Sequence, residues 1–284
     1  MAKTQDLKRR IRSVRNTRQL TRAMKMVSAA KLRRAQDRIL RARPYSQRLR
    51  HVLRSVAARA HPEQHPLLER RLGERCEIVV VTADKGLCGA FNAAILRLVG
   101  AFIRERSGWD IRIRAVGKKG RDFFVRRTKV ARQHVDVFRN VEFATARAIA
   151  HELMDNYLAG EVDSIHLIYN EFKSAIQARP IVQQLLPIEP AEVAADEPAD
   201  DYIYEPSPEQ LFQSLLPSYV ENQVFHVMLE SAAAEHAARM TAMDSATNNA
   251  GELIDSLTLT MNRVRQASIT TEIIEVVSGA EAQG

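Results

Sequence analysis

Between Thr4 and Ala60 the chain has no glycine and a single proline, Pro44. Apolar residues recur at Leu7, Ile11 and Val14, at Leu20, Met24 and Val27, and again at Tyr45, Leu49, Val52 and Val56. Steps of three and four mark one face of a helix. Thr4 suits its N-cap. Pro44 removes one hydrogen bond and crowds the preceding turn, which predicts a kink or interruption, not an end. If continuous, the helix would reach roughly 85 Å at ~1.5 Å per residue. Helices in globular domains average about 11–12 residues, so a compact domain has no use for one this long. It needs a partner of similar length.

The other terminus supplies that partner. Pro217 sits where a helix can begin, in its first turn, and from there to Val277 only Gly251 weakens helix formation. Leu253, Leu257, Thr260, Val264, Ala267, Thr271, Ile274 and Ser278 alternate steps of four and three, the seam of a left-handed coiled coil. Its small residues let helices approach closely but bury little area, so modest intrinsic stability is expected. Charge agrees with pairing. Residues 1–60 carry 19 Lys/Arg against Asp6 and Asp37, a net +17, whereas residues 207–284 carry 3 Arg against 10 acids, a net −7. With a domain between them, antiparallel pairing is the natural topology. It would bring Arg38, Arg48 and Arg54 near Glu230, Glu235 and Asp244. Exposed pairs are each worth only ~0–1 kcal/mol, so charge would guide register while packing holds the coil. The competing arrangement folds both arms into an ordinary helical bundle.

The middle of the chain alternates strand and helix. Strands are expected at Cys76–Thr82, Asp110–Val116, Val130–Phe138, Val162–Tyr169 and Ile181–Pro187, the last two as a hairpin across the 170s. Helices are expected at Phe91–Arg106, Arg121–Arg127 and Glu142–Leu158. This order predicts a small, mostly parallel α/β layer of Rossmann-like type. Residues 189–201, acidic and with two prolines, read as an exposed connection. The expected fold class is therefore α/β with long helical arms. Residues 1–60 form the N-terminal coiled-coil helix, 75–206 the α/β domain and 207–284 the C-terminal coiled-coil helix.

Several chemistries find little support. The longest purely aliphatic run, Ile78 to Val81, is far short of the ~20 residues of a membrane span. Met1-Ala2-Lys3-Thr4 lacks the apolar core of a secretory signal. The Arg-rich start resembles a mitochondrial transit peptide in composition, but the pattern runs too long and has a counterpart at the other terminus. Cys76 and Cys88 show neither metal-ligand spacing nor a disulfide framework. His61 and His65 are four apart but flanked by Pro62 and Pro66, so no metal pair on a helix face results. Asp84-Lys85-Gly86-Leu87-Cys88-Gly89-Ala90-Phe91-Asn92 follows a strand and opens a helix, where phosphates often bind, yet it matches neither common phosphate-loop spacing. Gly117-Lys118-Lys119-Gly120 is similarly incomplete. Glycines making tight turns explain both, and a small buried thiol explains Cys88. No catalytic residue, cofactor or metal site is expected. The basic N-terminal face leaves nucleic-acid binding open as an alternative function, although no aromatic residues interleave it.

Three segments carry a resemblance. The first runs Ile11-Arg12-Ser13-Val14-Arg15-Asn16-Thr17-Arg18-Gln19-Leu20-Thr21-Arg22-Ala23-Met24-Lys25-Met26-Val27-Ser28-Ala29-Ala30-Lys31-Leu32. The second is the Asp84–Asn92 loop. The third runs Arg265-Gln266-Ala267-Ser268-Ile269-Thr270-Thr271-Glu272-Ile273-Ile274-Glu275-Val276-Val277-Ser278-Gly279-Ala280. Together they resemble the γ subunit of F-type ATP synthase over essentially the whole chain, and Tyr202-Ile203-Tyr204-Glu205-Pro206 is similar to that family's domain-to-shaft junction.

The resemblance implies a non-catalytic central rotor shaft, one copy per complex, coupling transmembrane proton flow to ATP synthesis. Its partners would be the hexamer of α and β subunits, the ε subunit and the c-ring, with no nucleic acid. It would sit peripherally on the cytoplasmic face of the bacterial inner membrane. Met24, Lys25, Arg265, Gln266, Thr270 and Glu272 would meet catalytic-subunit loops, and Tyr202, Tyr204 and Glu205 would belong to the rotor foot. The dithiol insertion of chloroplast members is absent, so thiol switching is not expected.

Overall fold

The computed structural model describes residues 2–57, 65–128, 130–174, 177–189, 205 and 207–281. Helix α1 (Ala2–Ala57) is followed by β1 (Arg75–Val81), α2 (Phe91–Glu105), β2 (Asp110–Val116), α3 (Lys118–Phe124), β3 (Val130–His134), α4 (Phe143–Leu158), β4 (Ser164–Phe172), β5 (Ala178–Leu186) and α5 (Pro208–Glu281). The chain divides into two compact units, one of Met1–Ser28 with Arg239–Gly284 and one of Ala29–Ala238. Each long helix contributes to both.

In the larger unit, five strands form one sheet in the order β3-β2-β1-β4-β5. The β1–β2, β2–β3 and β1–β4 pairs are parallel, and only the β4–β5 hairpin is antiparallel. This is the mostly parallel α/β layer the alternation predicts. β1 is central, and all but its first residue is buried, as a strand covered on both faces requires. Ile78 and Val80 belong to a core with Ile95, Val99 and Phe102 of α2. Val79 and Val81 belong to the opposite core with Ile149 and Leu153 of α4. That second core also takes in Leu49, Leu53 and Val56 of α1 and Phe212, Leu216, Val220 and Val227 of α5.

Helix α5 is buried on nearly every side from Val227 to Ala237, which suits its many small and apolar residues there, although Glu230, Ser231, Glu235 and His236 lie among them. On α1, Leu32, Ala35, Ile39, Ala42, Ser46, Leu49, Leu53 and Val56 alternate steps of three and four as its inward face. Ser46 Oγ donates to Asn222 Oδ1 at 2.7 Å, a polar pin between the helices of this unit.

Several element boundaries differ from the sequence reading, and the β4–β5 hairpin reaches further into its turn, with β4 running to Phe172 and β5 starting at Ala178. α1 already runs from Ala2, so Thr4 lies inside the helix and does not cap it. α5 begins at Pro208, nine residues before Pro217, which lies inside the helix. Ser207 precedes it, with the Gln210 N–H 3.5 Å from the Ser207 Oγ, so the start follows the serine-cap, proline-first pattern. α3 starts at Lys118 because Gly117, at φ 102°, turns the chain directly into it. β3 stops at His134, since Asp136 enters the left-handed region and a short 3-10 turn follows at Val137–Arg139. Helix α1 runs through Pro44 without interruption.

Candidate functional site

In the smaller unit the two terminal segments pair along a seam. Thr21 Oγ1 lies 2.8 Å from Thr247 Oγ1, and Lys25 Nζ donates to Asp244 Oδ1 at 2.6 Å. A Cβ on Gly251 would meet Arg18 Cζ at 3.5 Å, so this glycine makes room for an arginine lying across the helix. As the α1 number rises the α5 number falls, so the segments are antiparallel.

The seam follows the stripe that apolar spacing selects at Leu7, Ile11 and Val14 and then departs from it. Thr21 and Ser28 are only 8% and 3% exposed, while Leu20 and Val27 beside them are 61% and 56% exposed. The buried face of α1 here runs through Leu7, Ile11, Val14, Thr21, Lys25 and Ser28. On α5 it runs through Ala250, Ile254, Leu257, Met261, Val264 and Ser268. The 3.5-residue period predicted for α5 is present, but Leu253, Thr260 and Ala267 are exposed and the residue after each takes its place. Thr271, Ile274 and Ser278 are exposed as well. The register agrees with this: Ala2 stands opposite about residue 267, so among the described residues the later turns of α5 extend past α1.

Among the expected contact residues, Met24 is half-buried and Lys25 is held by Asp244. Asp244 therefore takes Lys25 as its partner, in place of the arginines expected for it. Arg38 instead donates to the neutral amide oxygen of Asn140 at 2.8 Å. Arg265, Gln266, Thr270 and Glu272 are all exposed. The Thr270 hydroxyl donates to the Gln266 carbonyl at 3.0 Å, and Ser268 Oγ donates to Glu272 Oε1 at 3.3 Å. The structure does not gather these residues into one cluster. Met24 stands level with about residue 245, which leaves Thr270 roughly 37 Å further along α5 at ~1.5 Å per residue. They form two zones on the same helical pair. Beyond Val264 large apolar side chains are exposed among these polar ones, namely Ile269, Ile273, Ile274, Val276 and Val277. Tyr202 and Tyr204 lie outside the described residues, and Glu205 is exposed.

The two glycine-containing loops that follow β1 and β2 are tied together by hydrogen bonds of their own. Asp84 accepts N–H bonds from Lys118 and Asp136 at 3.0 Å and from Phe138 at 3.4 Å. A carboxylate thus occupies the point where a phosphate cradle would need neutral or cationic donors. The Gly120 N–H donates to Thr82 Oγ1 at 2.8 Å. A Cβ at Gly117 would meet the Thr82 carbonyl oxygen at 2.1 Å, so this glycine serves close packing. Asn92 closes the first loop by accepting the Ala83 N–H at 2.9 Å and donating to Cys88 Sγ at 3.2 Å. Cys88 and Cys76 are both buried, and burial pushes the Cys76 thiol pKa up. Among the described residues no group of three or more His, Cys, Asp or Glu is placed to hold a metal, and no helix is long and apolar enough to cross a membrane.

The sequence reading missed a buried ionic cluster. Arg114 Nε donates to Glu77 Oε1 at 2.6 Å, with both side chains fully buried. Arg114 also reaches Glu152, and its Nη1 lies 3.3 Å from His134 Nε2. Asn156 Nδ2 donates to Glu77 Oε2 at 2.9 Å. Burial lowers the His134 pKa, which leaves a neutral ring able to accept. Charged residues in the middle of β1 and β2 were the available signal.

Residues 3–283 match the ATP synthase family. The chain is 51% identical over 288 residues to an ATP synthase gamma chain of Anaeromyxobacter sp. (strain Fw109-5), covering 99% of both. It is 48% identical over 284 residues to that of Geobacter metallireducens, again covering 99% of both. The chain belongs to the ATP synthase gamma-chain family. A chain from the central stalk and c-ring of the Tetrahymena thermophila mitochondrial ATP synthase is 29% identical, with a TM-score of 0.61 over 80% of this chain and 99% of that one.

Proposed function

We propose that this chain is the central-stalk rotor subunit of an F1Fo ATP synthase, a non-catalytic part that couples proton flow to ATP synthesis and hydrolysis. The observation that carries the reading is the antiparallel seam at Thr21–Thr247 and Lys25–Asp244, in a chain whose full length matches gamma chains. Residues 1–60 and 207–284 would serve as the axle and 75–206 as the mounting domain. Its partners would be the α and β subunits of the hexamer, the ε subunit and the c-ring, with one copy in each complex. The complex would place it peripherally on the cytoplasmic face of the bacterial inner membrane.

The mechanism follows from asymmetry. A shaft with no rotational symmetry presents a different face to each identical catalytic subunit, and each face favours one conformation. Driving a subunit from 1:99 to 99:1 takes about 5.5 kcal/mol of differential contact. Met24 and Lys25 form one contact zone, and Arg265, Gln266, Thr270 and Glu272 another. The exposed apolar turns Ile273–Val277 suit a collar in which a surface must slide without fixed polar partners. Tyr202, Tyr204 and Glu205 would act as the foot.

Reconstitution tests this directly. The full chain, mixed with a purified α and β hexamer, should enter the complex at one copy and turn a bead fixed to residues 75–206 when ATP is added. A chain that stays outside the hexamer but binds DNA with a steep salt dependence would favour the nucleic-acid alternative.

A further inference from the structure

In the larger unit, α1 and the 3-10 turn Val137–Arg139 border a cleft of about 360 Å³. Lys31, Arg34 and Arg38 follow one another at steps of three and four on one face of α1, and Arg139 approaches from the turn. No carboxylate lines the cleft. Among the described residues no ion pair joins any of these four cations to an acid. Arg38 is oriented through Asn140, whose oxygen accepts from its guanidinium while its Nδ2 donates to Glu142 Oε1 at 2.7 Å. The floor is largely apolar, formed by the buried Val141, Leu229 and Ala232, with His236 also lining the cleft.

Four like charges on a concave surface repel one another, and an apolar floor weakens the screening that water provides. A ligand of compact, multiple negative charge relieves that repulsion. Guanidinium forks match phosphoryl oxygens two at a time, and lysine adds a point charge. We propose that this cleft binds a polyvalent phosphoryl anion, such as pyrophosphate or the terminal phosphates of a nucleotide, through Lys31, Arg34, Arg38 and Arg139. Its size favours a small ligand over a helix or loop of a partner, since small-molecule sites begin at about 300 Å³. The site is separate from the contact zones proposed for the rotor and does not rest on them.

Calorimetric titration of the full chain with pyrophosphate tests the proposal, with orthophosphate and ADP as parallel arms to separate a free phosphate from a nucleotide. Saturable one-to-one binding is expected, weakened about tenfold or more by Arg34→Gln or by Arg139→Gln, the scale of one charged hydrogen bond. Arg126→Gln, exposed on the segment after α3, should leave it unchanged. In the unmodified chain pyrophosphate should also shield Lys31, but not Lys8, from amine acylation read by mass spectrometry. Absence of saturation, equal weakening by Arg126→Gln, or unprotected Lys31 overturns the site. So does a glutamate-rich peptide that fills the cleft and resists displacement by pyrophosphate, which would make it a protein-docking surface.

Discussion

The hydroxyl oxygens of Thr21 and Thr247 lie 2.8 Å apart, across a seam where leucine would ordinarily be expected. Thr247 also donates to the Met243 carbonyl at 2.7 Å, so its lone pairs are open to the Thr21 proton, for which they are a nearer acceptor than the Arg18 carbonyl at 3.1 Å. The contact is small, polar and short, and it sets which faces of the two helices meet. Thr21→Val leaves the Thr247 oxygen without its donor and should cost about 1 kcal/mol. Adding Thr247→Val should cost less than the two single changes combined, with a coupling of about 0.5–1 kcal/mol. Urea unfolding of the four chains measures it, and strict additivity would show the hydroxyls to be energetically independent.

The same seam shows how far the sequence could be read. The strands and their mostly parallel pairing were legible because β-branched residues recur in β1, β2 and β4 between turn residues and alternate with helical segments. The existence and direction of the helical pair were legible from length, period and charge. Its rotation was not. Thr21 and Ser28 are buried while Leu20 and Val27 face outward, because hydroxyls satisfied locally can pack closely and exposed leucine is not forbidden. On α5 a seam of small residues gives adjacent positions almost equal hydrophobicity, and the reading slipped by one residue at Leu253, Thr260 and Ala267. The contact residues from Met24 to Glu272 were nameable only through family resemblance, since exposed polar side chains carry no periodic signal.

Glu77 and Arg114 form a buried charge pair across neighbouring strands. Glu77→Gln removes the negative charge and leaves the guanidinium in the sheet with only the partly exposed Glu152 to balance it. A stability loss of about 3–5 kcal/mol is expected. Chemical denaturation of the isolated chain checks this, and a loss below about 1 kcal/mol would mean that Glu152 alone suffices.

Glu230 on α5 gives a pH dependence of definite sign. Its carboxyl is pushed up to about 7, first by burial and then by the nearby Glu171. Its Oε2 has no hydrogen-bond partner. His226 is 3.6 Å away from Oε1, but burial and Arg50 keep that ring's pKa low, so it brings no charge near neutrality. The Phe172 backbone and Arg43 oppose the shift without cancelling it. Because the folded state holds the proton more tightly than the unfolded one, stability falls as pH rises from about 4.5 to about 7 and then levels off. Glu230→Gln should flatten that part of the Tm profile. A mutant profile that keeps the wild-type slope across this window would assign the titration to another group.

Lys25 separates a structural role from a partner contact. Its ammonium is half-exposed and gives one of three donors to Asp244, which is also half-exposed. An exposed pair of this kind is worth about 0–1 kcal/mol, so exchanging the charges with Lys25→Asp and Asp244→Lys should leave the Tm of the chain nearly unchanged. The positive charge, however, moves from α1 to α5 and turns toward a different sector around the pair. If the zone around Met24 touches acidic groups of the hexamer, complexes carrying the exchange should hydrolyse ATP but pump fewer protons per ATP. Each single change should be worse than the exchange in stability and no better in pumping. Proton pumping in reconstituted vesicles, set against ATP hydrolysis in the same preparation, measures the ratio. An exchanged complex that pumps with the original ratio would make Lys25 a seam residue and nothing more.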